Sequence, residues 1–288
     1  MSSVLRQKLL NKPLIHIIGA HNPLSARLAE EAGFDGIWAS GFELSASFAV
    51  PDASILSMTE HLDMTRAICA AVDIPVVADI DTGFGNAVNV IHAVRQYQAA
   101  GAAAVVIEDK KFPKDTSLLE GGRQELLRLE EFAGKIEAAC ASRGSSEFLI
   151  VARTEALIAG KGQEEARRRA EAYVDAGADA ILIHSKANTP AEIVEFCRRW
   201  NRPTPLVIVP TAYPQLTESD IVALEKIKMV IYGNHGIRAA VTAMAEVFAR
   251  IRADGGIQNV DLDIVPVSRI FELQRVARMK DMEKRFLK

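Results

Sequence analysis

The sequence predicts a (β/α)8 barrel, and three observations carry that prediction. Eight short, nearly continuous apolar runs recur along the 288 residues, helix-like apolar spacing fills several of the intervals, and three helical patterns end on Ala-Gly shortly before a new run begins. Runs of Val, Ile and Ala without polar alternation fit parallel strands covered on both faces, and alternation of such strands with helices is the pattern of an α/β fold. Eight units in a chain of this length match the usual barrel. An open doubly wound sheet is the second architecture the pattern allows, although the GxGxxG turn that would favour a dinucleotide-binding sheet is missing after the first run.

Taken in order, strands are expected at 14–20, 36–40, 76–81, 103–109, 148–153, 180–185, 206–211 and 229–235. The helix between the fourth and fifth is marked by Leu126, Leu129, Phe132, Ala133, Ile136 and Cys140, which fall three or four apart. Gly33, Gly101 and Gly177 follow the ends of three helical patterns and are expected in the left-handed conformation that closes a helix. The barrel domain is expected to span 1–255, with a helical extension at 256–288 after a Gly255-Gly256 hinge, packing on the barrel or on a partner subunit.

With 49% hydrophobic and 25% charged residues the composition is that of a globular domain. A net charge of -3, no Lys/Arg cluster and no apolar run long enough to span a bilayer argue against nucleic-acid and membrane roles. The apolar run near the N-terminus is short and broken by His16, so a secretory signal is not expected and a cytoplasmic location is. Cys69, Cys140 and Cys197 lie far apart without CxxC spacing, which fits reduced thiols.

In such barrels function collects at the C-terminal strand ends, and those ends hold the unusual polar residues here. Asp79 and Asp81 are two apart on an expected strand and so share a face; with Glu108 from the next strand they make an all-oxygen cluster suited to a hard cation such as Mg2+ or Mn2+. An Asp pair capping the turn beside Gly83 and Gly85 is the alternative. Arg153 ends the fifth strand, where it suits a substrate carboxylate or phosphonate, or else an ion pair with Glu155 or the acidic cluster. His184 is open to a site role or to a core role bonded to a backbone carbonyl. Successive amides at Ser40, Gly41 and Phe42 fit either an anion nest or a plain turn, and Trp38, Phe42 and Tyr232 fit pocket walls or core.

Seven segments, "AHNPLSARLAEEAGFDGIWASG", "DIDTGFGN", "EDKKFPKDTSL", "VARTEALIAG", "GADAILIHSK", "VIVPTAYP" and "YGNH", together resemble the phosphoenolpyruvate mutase/isocitrate lyase superfamily over almost the whole chain. The resemblance implies a barrel with a C-terminal helix exchanged between subunits, a homodimer or homotetramer, and Mg2+, or Mn2+ or Co2+, holding a keto acid or its enolate. The lyases of that superfamily carry a "KKCGH"-type cysteine in the loop where this chain has "EDKKFPKDTSL", and the loop resembles instead the phosphonate-processing branch. Thr116 stands where the mutases have asparagine, so the expected reaction is hydrolysis of the carbon–phosphorus bond of 3-phosphonopyruvate to pyruvate and phosphate. Isomerisation to phosphoenolpyruvate, carbon–carbon lysis and oxaloacetate-type hydrolysis are the alternatives. By the same resemblance Asp79 is the direct metal ligand, with Asp81, Glu108 and Asp52 holding its waters. Trp38, Ser40, Gly41, Phe42 and Ser117 bind substrate, Arg153 and His184 hold its anionic end, and Lys114 and Thr116 sit on a gating loop over phosphorus. Asp52 is left as nucleophile, base or water holder.

Overall fold

The computed structural model describes residues 1–260 and 264–287, which fall into two compact units, Met1–His235 and Gly236–Lys288. In the first unit the order is α1 (Ser2–Asn11), β1 (Ile15–Ala20), α2 (Pro23–Glu31), β2 (Gly36–Ala39), α3 (Gly41–Ser47), α4 (Met58–Ala71), β3 (Val76–Asp79), α5 (Ala87–Ala99), β4 (Ala104–Glu108), α6 (Leu129–Ser142), β5 (Leu149–Thr154), α7 (Gly162–Asp175), β6 (Ala180–Ile183), α8 (Ala191–Arg199), β7 (Leu206–Ile208), α9 (Glu218–Ala223) and β8 (Ile227–Tyr232). Every strand pairs in parallel with its neighbours in sequence, and β8 closes on β1 with Met229 opposite Ile15. The (β/α)8 barrel expected from the sequence is the observed fold. The remaining helices are α10 (His235–Asp254), α11 (Val267–Leu273) and α12 (Val276–Phe286). Among the described residues no helix is long and apolar enough to cross a membrane.

All eight expected strands form, and the two-residue period of each splits its apolar residues between two cores. Ile15, Ile17, Trp38, Val77, Ala104, Val106, Leu149, Val151, Ala180, Leu182, Val207, Met229 and Ile231 fill the barrel interior. Their alternates, among them Ile37, Val76, Val105, Ile150, Ile181 and Val230, pack under the helices. β3, β6, β7 and β8 stop two or three residues short of the expected ends, because the chain turns out of the ladder to form the rim. Asp81 is left-handed with φ 50°, and Pro210–Ala212 is a 3-10 turn. Gly33, Gly101 and Gly177 take φ of 85°, 96° and 101°, each one residue past a helix C-cap, as expected.

The helix expected from Leu126 begins only at Leu129. Leu126 bridges to Lys110 instead, with Lys111 N–H bonded to the Glu125 carbonyl and Leu127 N–H to that of Asp109. The two ends of the 111–126 loop are therefore stapled together by backbone pairing, and this ladder wins over helical propensity.

Not anticipated from the sequence, α1 belongs to the bottom of the barrel. Leu5 is fully buried within the interior cluster, a contribution of about 2 kcal/mol for one leucine. Lys8 and Lys12 reach Asp35 at 2.8 and 2.5 Å, and Arg6 reaches Asp179 at 2.9 Å. Burial would raise the Asp35 carboxyl, but Lys12 and Lys8 outweigh it and hold it below the ordinary value.

His61, on α4, is buried, with Nδ1 2.7 Å from the Tyr97 hydroxyl of α5 and its ring edge-on to Phe84. Burial, aided by Lys114 and opposed in part by Asp52, pushes its pKa from 6.5 to about 4. The unfolded chain binds this proton first, so stability from the neutral ring is complete above pH 6.5 and is lost as pH falls toward 4. The loss expected is on the order of 3 kcal/mol. Urea unfolding at pH 7 and pH 4.5 should show the wild type losing more stability than His61→Leu; equal losses would remove His61 from the acid response.

Candidate active site

The interior parity of each strand, continued past its end, decides which side chains meet at the C-terminal mouth. Trp38 leads to Ser40, Val77 to Asp79, Val106 to Glu108, Val151 to Arg153, Leu182 to His184 and Ile231 to Gly233. Register adds to this: Glu108 and Arg153 are direct partners across β4 and β5. Together these ends surround a cavity of about 70 Å³ lined by Trp38, Ser40, Phe42, Asp52, Asp79, Lys114, Thr116, Ser117, Leu118, Arg153, His184, Val209, Thr211, Gly233 and Asn234.

On one side of it stands a carboxylate cluster. The Lys114 ammonium, carried in by the loop after β4, lies 2.7 Å from Asp81 Oδ1, 3.1 Å from Asp52 Oδ1 and 3.7 Å from Glu108 Oε1. Its own backbone N–H bonds to Ser54 Oγ, which ties the loop to the segment bearing Asp52. Burial raises the Asp79 carboxyl, an effect Lys114 and Arg153 only partly offset while Glu108 and Asp52 add to it. Burial likewise pushes Asp81 up to about 7, with Asp52, Asp79 and Glu108 outweighing part of what Lys114 gives back. Burial works against the Lys114 charge, but Asp52, Asp81, Glu108 and Asp79 overcome it and hold the ammonium well above its ordinary pKa. Gly41 permits this crowding: a Cβ there would stand 2.9 Å from Asp81 Oδ1 and 3.5 Å from Asp79 Oδ2.

On the opposite side Arg153 Nε donates to Glu155 Oε1 at 2.5 Å and lies 3.3 Å from Glu108 Oε2, while its Nη2 donates to Ser117 Oγ at 3.0 Å and is 2.9 Å from His184 Nδ1. His184 Nδ1 is also 3.0 Å from Glu155 Oε1. Burial lowers the His184 pKa and dominates over Glu155, so the ring is neutral at pH 7. Burial alone would raise Glu155, yet Arg153, His184 and Lys110 together hold it well below the carboxylate range.

The residues present fit a divalent cation. Asp52, Asp79, Asp81, Glu108 and Glu155 are five carboxylates against the three cations Lys110, Lys114 and Arg153, an excess of two negative charges when all are ionised. Glu108 Oε1 and Oε2 and Asp81 Oδ1 are buried without a hydrogen-bond partner, although Lys114 lies 3.7 Å from the first and 2.7 Å from the last and Arg153 3.3 Å from the second, none of them making a hydrogen bond. Such orphan acceptors are costly unless water or a cation meets them. Among the described residues no three His, Cys, Asp or Glu side chains close into a ready-made cage, so water and substrate oxygens would complete the shell.

Ten of the residues singled out in the sequence line the cavity: Trp38, Ser40, Phe42, Asp52, Asp79, Lys114, Thr116, Ser117, Arg153 and His184. Gly41, Asp81 and Glu108 lie behind that surface, in contact with its carboxylates or with Lys114. The ion pairs of Arg153 with Glu155 and with Glu108 both form. Asp79 and Asp81 converge through the left-handed turn at Asp81 and not through strand alternation, because β3 ends at Asp79. Ser40 caps α3, accepting from the Glu43 amide at 3.2 Å. Tyr232 stacks on His16 away from the cavity wall. Thr211 and Asn234, polar residues at the ends of the seventh and eighth expected strands, line it too without having been assigned a role, and Leu118, Val209 and Gly233 were not singled out; the interior parity of β7 and β8 is the signal that reaches the last two.

A family model described as phosphoenolpyruvate phosphomutase matches residues 5–252. The phosphonopyruvate hydrolase of Variovorax sp. (strain Pal2) is 63% identical over 287 residues, covering 100% of this chain and 99% of that protein. The crystal structure of a phosphonopyruvate hydrolase complexed with oxalate and Mg2+ superposes with a TM-score of 0.95 at 61% identity, over 100% of this chain and 99% of that one. A phosphoenolpyruvate phosphomutase from Streptomyces platensis subsp. rosaceus superposes with a TM-score of 0.97 at 49% identity, over the same shares of the two chains. Matched along its barrel by that family model and along its full length by these relatives, the chain belongs to the phosphoenolpyruvate phosphomutase family.

Proposed function

We propose that this chain hydrolyses the carbon–phosphorus bond of phosphonopyruvate, giving pyruvate and phosphate. The observation that carries the reading is a single small cavity set between a carboxylate cluster short of positive charge and a loop that brings Lys114, Thr116 and Ser117 over it. The full-length likeness to the Variovorax hydrolase supports the same substrate. Asp79 would hold Mg2+, or Mn2+ or Co2+, with Asp81, Glu108 and Asp52 as acceptors for its water. A bound divalent cation supplies Lewis-acid stabilisation of the negative charge that develops on the keto and carboxylate oxygens.

The reaction forms an oxygen–phosphorus bond with water and breaks the carbon–phosphorus bond, whose electron pair passes to the pyruvate enolate; a proton at carbon then yields pyruvate. Arg153 and Lys114 keep their charges in this buried setting and offset charge on the carboxylate and phosphoryl oxygens. His184 Nδ1 lies within reach of both Arg153 and Glu155; in the neutral tautomer in which Nδ1 accepts from Arg153, the Nε2–H is the donor available to an oxygen of the same anion. Asp52 lines the cavity beside Lys114, where it can receive either a proton from water or the phosphoryl group itself. Thr116 offers a hydroxyl where the mutases carry an amide, which leaves space for water and a donor and acceptor to orient it. Trp38, Phe42 and Leu118 supply the apolar wall that limits competing water.

We also propose that the chain forms a homodimer or homotetramer through its C-terminal helices. Val267, Phe271, Met279, Met282 and Phe286 of that unit are 66%, 51%, 46%, 51% and 62% exposed, a large apolar area for an isolated chain.

Incubation with phosphonopyruvate and Mg2+, followed by phosphorus NMR and a pyruvate assay, should show equal release of phosphate and pyruvate. Accumulation of phosphoenolpyruvate, or no turnover, would overturn the reading. Thr116→Asn should slow hydrolysis by at least roughly tenfold, the equivalent of one hydrogen bond, and produce phosphoenolpyruvate; unchanged hydrolysis would place the switch elsewhere in the loop. Light scattering should give a mass two or four times the 31.3 kDa of one chain, and a monomer would refute the helix-mediated assembly.

A further inference from the structure

We infer that Lys110 is the latch of the 111–126 loop: a positioning residue that holds the loop down over the cavity from beneath, without facing the substrate. This rests on the proposed role of that loop as the cover of the reacting group. Lys110 is fully buried and yet does not line the cavity. An ammonium has three N–H donors, and this one has three acceptors within reach. They are the Asp115 carbonyl at 2.8 Å, Ser117 Oγ at 2.7 Å and Glu155 Oε2 at 3.5 Å. The first two belong to the loop and the third to the end of β5.

Ser117 completes the arrangement. Its hydroxyl accepts from Lys110 and from Arg153 Nη2 and donates to Glu155 Oε2 at 2.7 Å, which uses its one donor and both acceptor sites. Its direction is thereby fixed by three charged groups that do not move with the loop. Thr116 sits between the two latch points, Asp115 and Ser117, so the latch also sets where the Thr116 side chain is held.

The base that Lys110 works from is rigid. Leu126 pairs with Lys110 itself, and Leu127 N–H bonds to the Asp109 carbonyl at 2.8 Å. Asp109 is anchored on the other side by the Tyr173 hydroxyl at 2.7 Å, Arg169 at 3.2 Å, Thr154 at 3.3 Å and the Glu155 amide at 2.8 Å. Lifting the loop takes two of three acceptors from an ammonium whose stem stays buried, and an unpaired buried charge is costly. The closed loop is the position in which Lys110 is satisfied. Removing the ammonium leaves the stapled base of the loop intact and frees only its tip.

The test compares wild type with Lys110→Met, and with Lys110→Gln should the first not fold as judged by circular dichroism. Tryptic cleavage within the loop, at Lys111, Lys114 or Arg123, is read by mass spectrometry with and without Mg2+ and oxalate, beside kcat and KM for phosphonopyruvate. The latch predicts loop cleavage faster by on the order of tenfold in the variant with ligand present. It also predicts kcat/KM lower by on the order of 100-fold, the effect of a misplaced loop, with most of the loss in kcat. Equal loop cleavage in wild type and variant under both conditions would overturn it, whatever the change in rate or melting temperature, since a mere counter-charge for Glu155 would alter stability without freeing the loop. If the wild type releases no phosphate from phosphonopyruvate, the proposed reaction falls, and the cleavage comparison still decides the latch.

Discussion

A single ammonium among carboxylates organises this molecule. Lys114 stands within 4 Å of Asp52, Asp81 and Glu108, and with Asp79 these groups would repel one another in the absence of a cation. Burial and mutual repulsion push Asp81 up to about 7 even with Lys114 in place, so one lysine does not satisfy the cluster. The same crowding leaves little room at position 41, where a Cβ would stand 2.9 Å from Asp81 Oδ1 unless that carboxylate shifted. Lys114 belongs to the loop after β4, so the position of that loop and the charge balance of the carboxylates are tied together.

The barrel places this charge by a simple rule. Inward and outward residues alternate along each strand, so the parity that fills the interior with Ile, Val and Leu also aims Asp79, Arg153 and His184 at the cavity, with Glu108 just behind it against Arg153. The bottom of the barrel meets the opposite requirement, and α1 answers it with Leu5 in the interior and Lys8, Lys12 and Arg6 on Asp35 and Asp179.

Much of this was legible in sequence for the same reason. Apolar runs of fixed parity ending in polar residues announce both strand and rim and put Asp79, Glu108, Arg153 and His184 at strand ends, while the choice between site, cap, ion-pair and core roles was left open by parity alone. What depended on turns or on contacts distant in sequence was not legible. Asp81 reaches the cluster through a left-handed residue that no periodicity reveals, and Leu126 looked helical until its pairing with Lys110 drew it into the loop. The burial of His61 against Tyr97 follows only from how α4 and α5 meet. Glu155 was visible as an ion-pair partner of Arg153, while its second role, joining His184, Ser117 and Lys110, required the strand ends to be brought together.

With all five carboxylates ionised the site lacks two positive charges, and the proposed cation would supply them from the Asp79 side, with Lys114 as a cation of the chain and not a ligand. Mn2+ binding followed by electron paramagnetic resonance tests it without reference to turnover. Asp79→Asn should weaken Mn2+ binding by about 10- to 100-fold, whereas Lys114→Met, which makes the cluster more negative, should bind Mn2+ at least as tightly as wild type. Full affinity in Asp79→Asn, or a loss in Lys114→Met as large as that of Asp79→Asn, would contradict it.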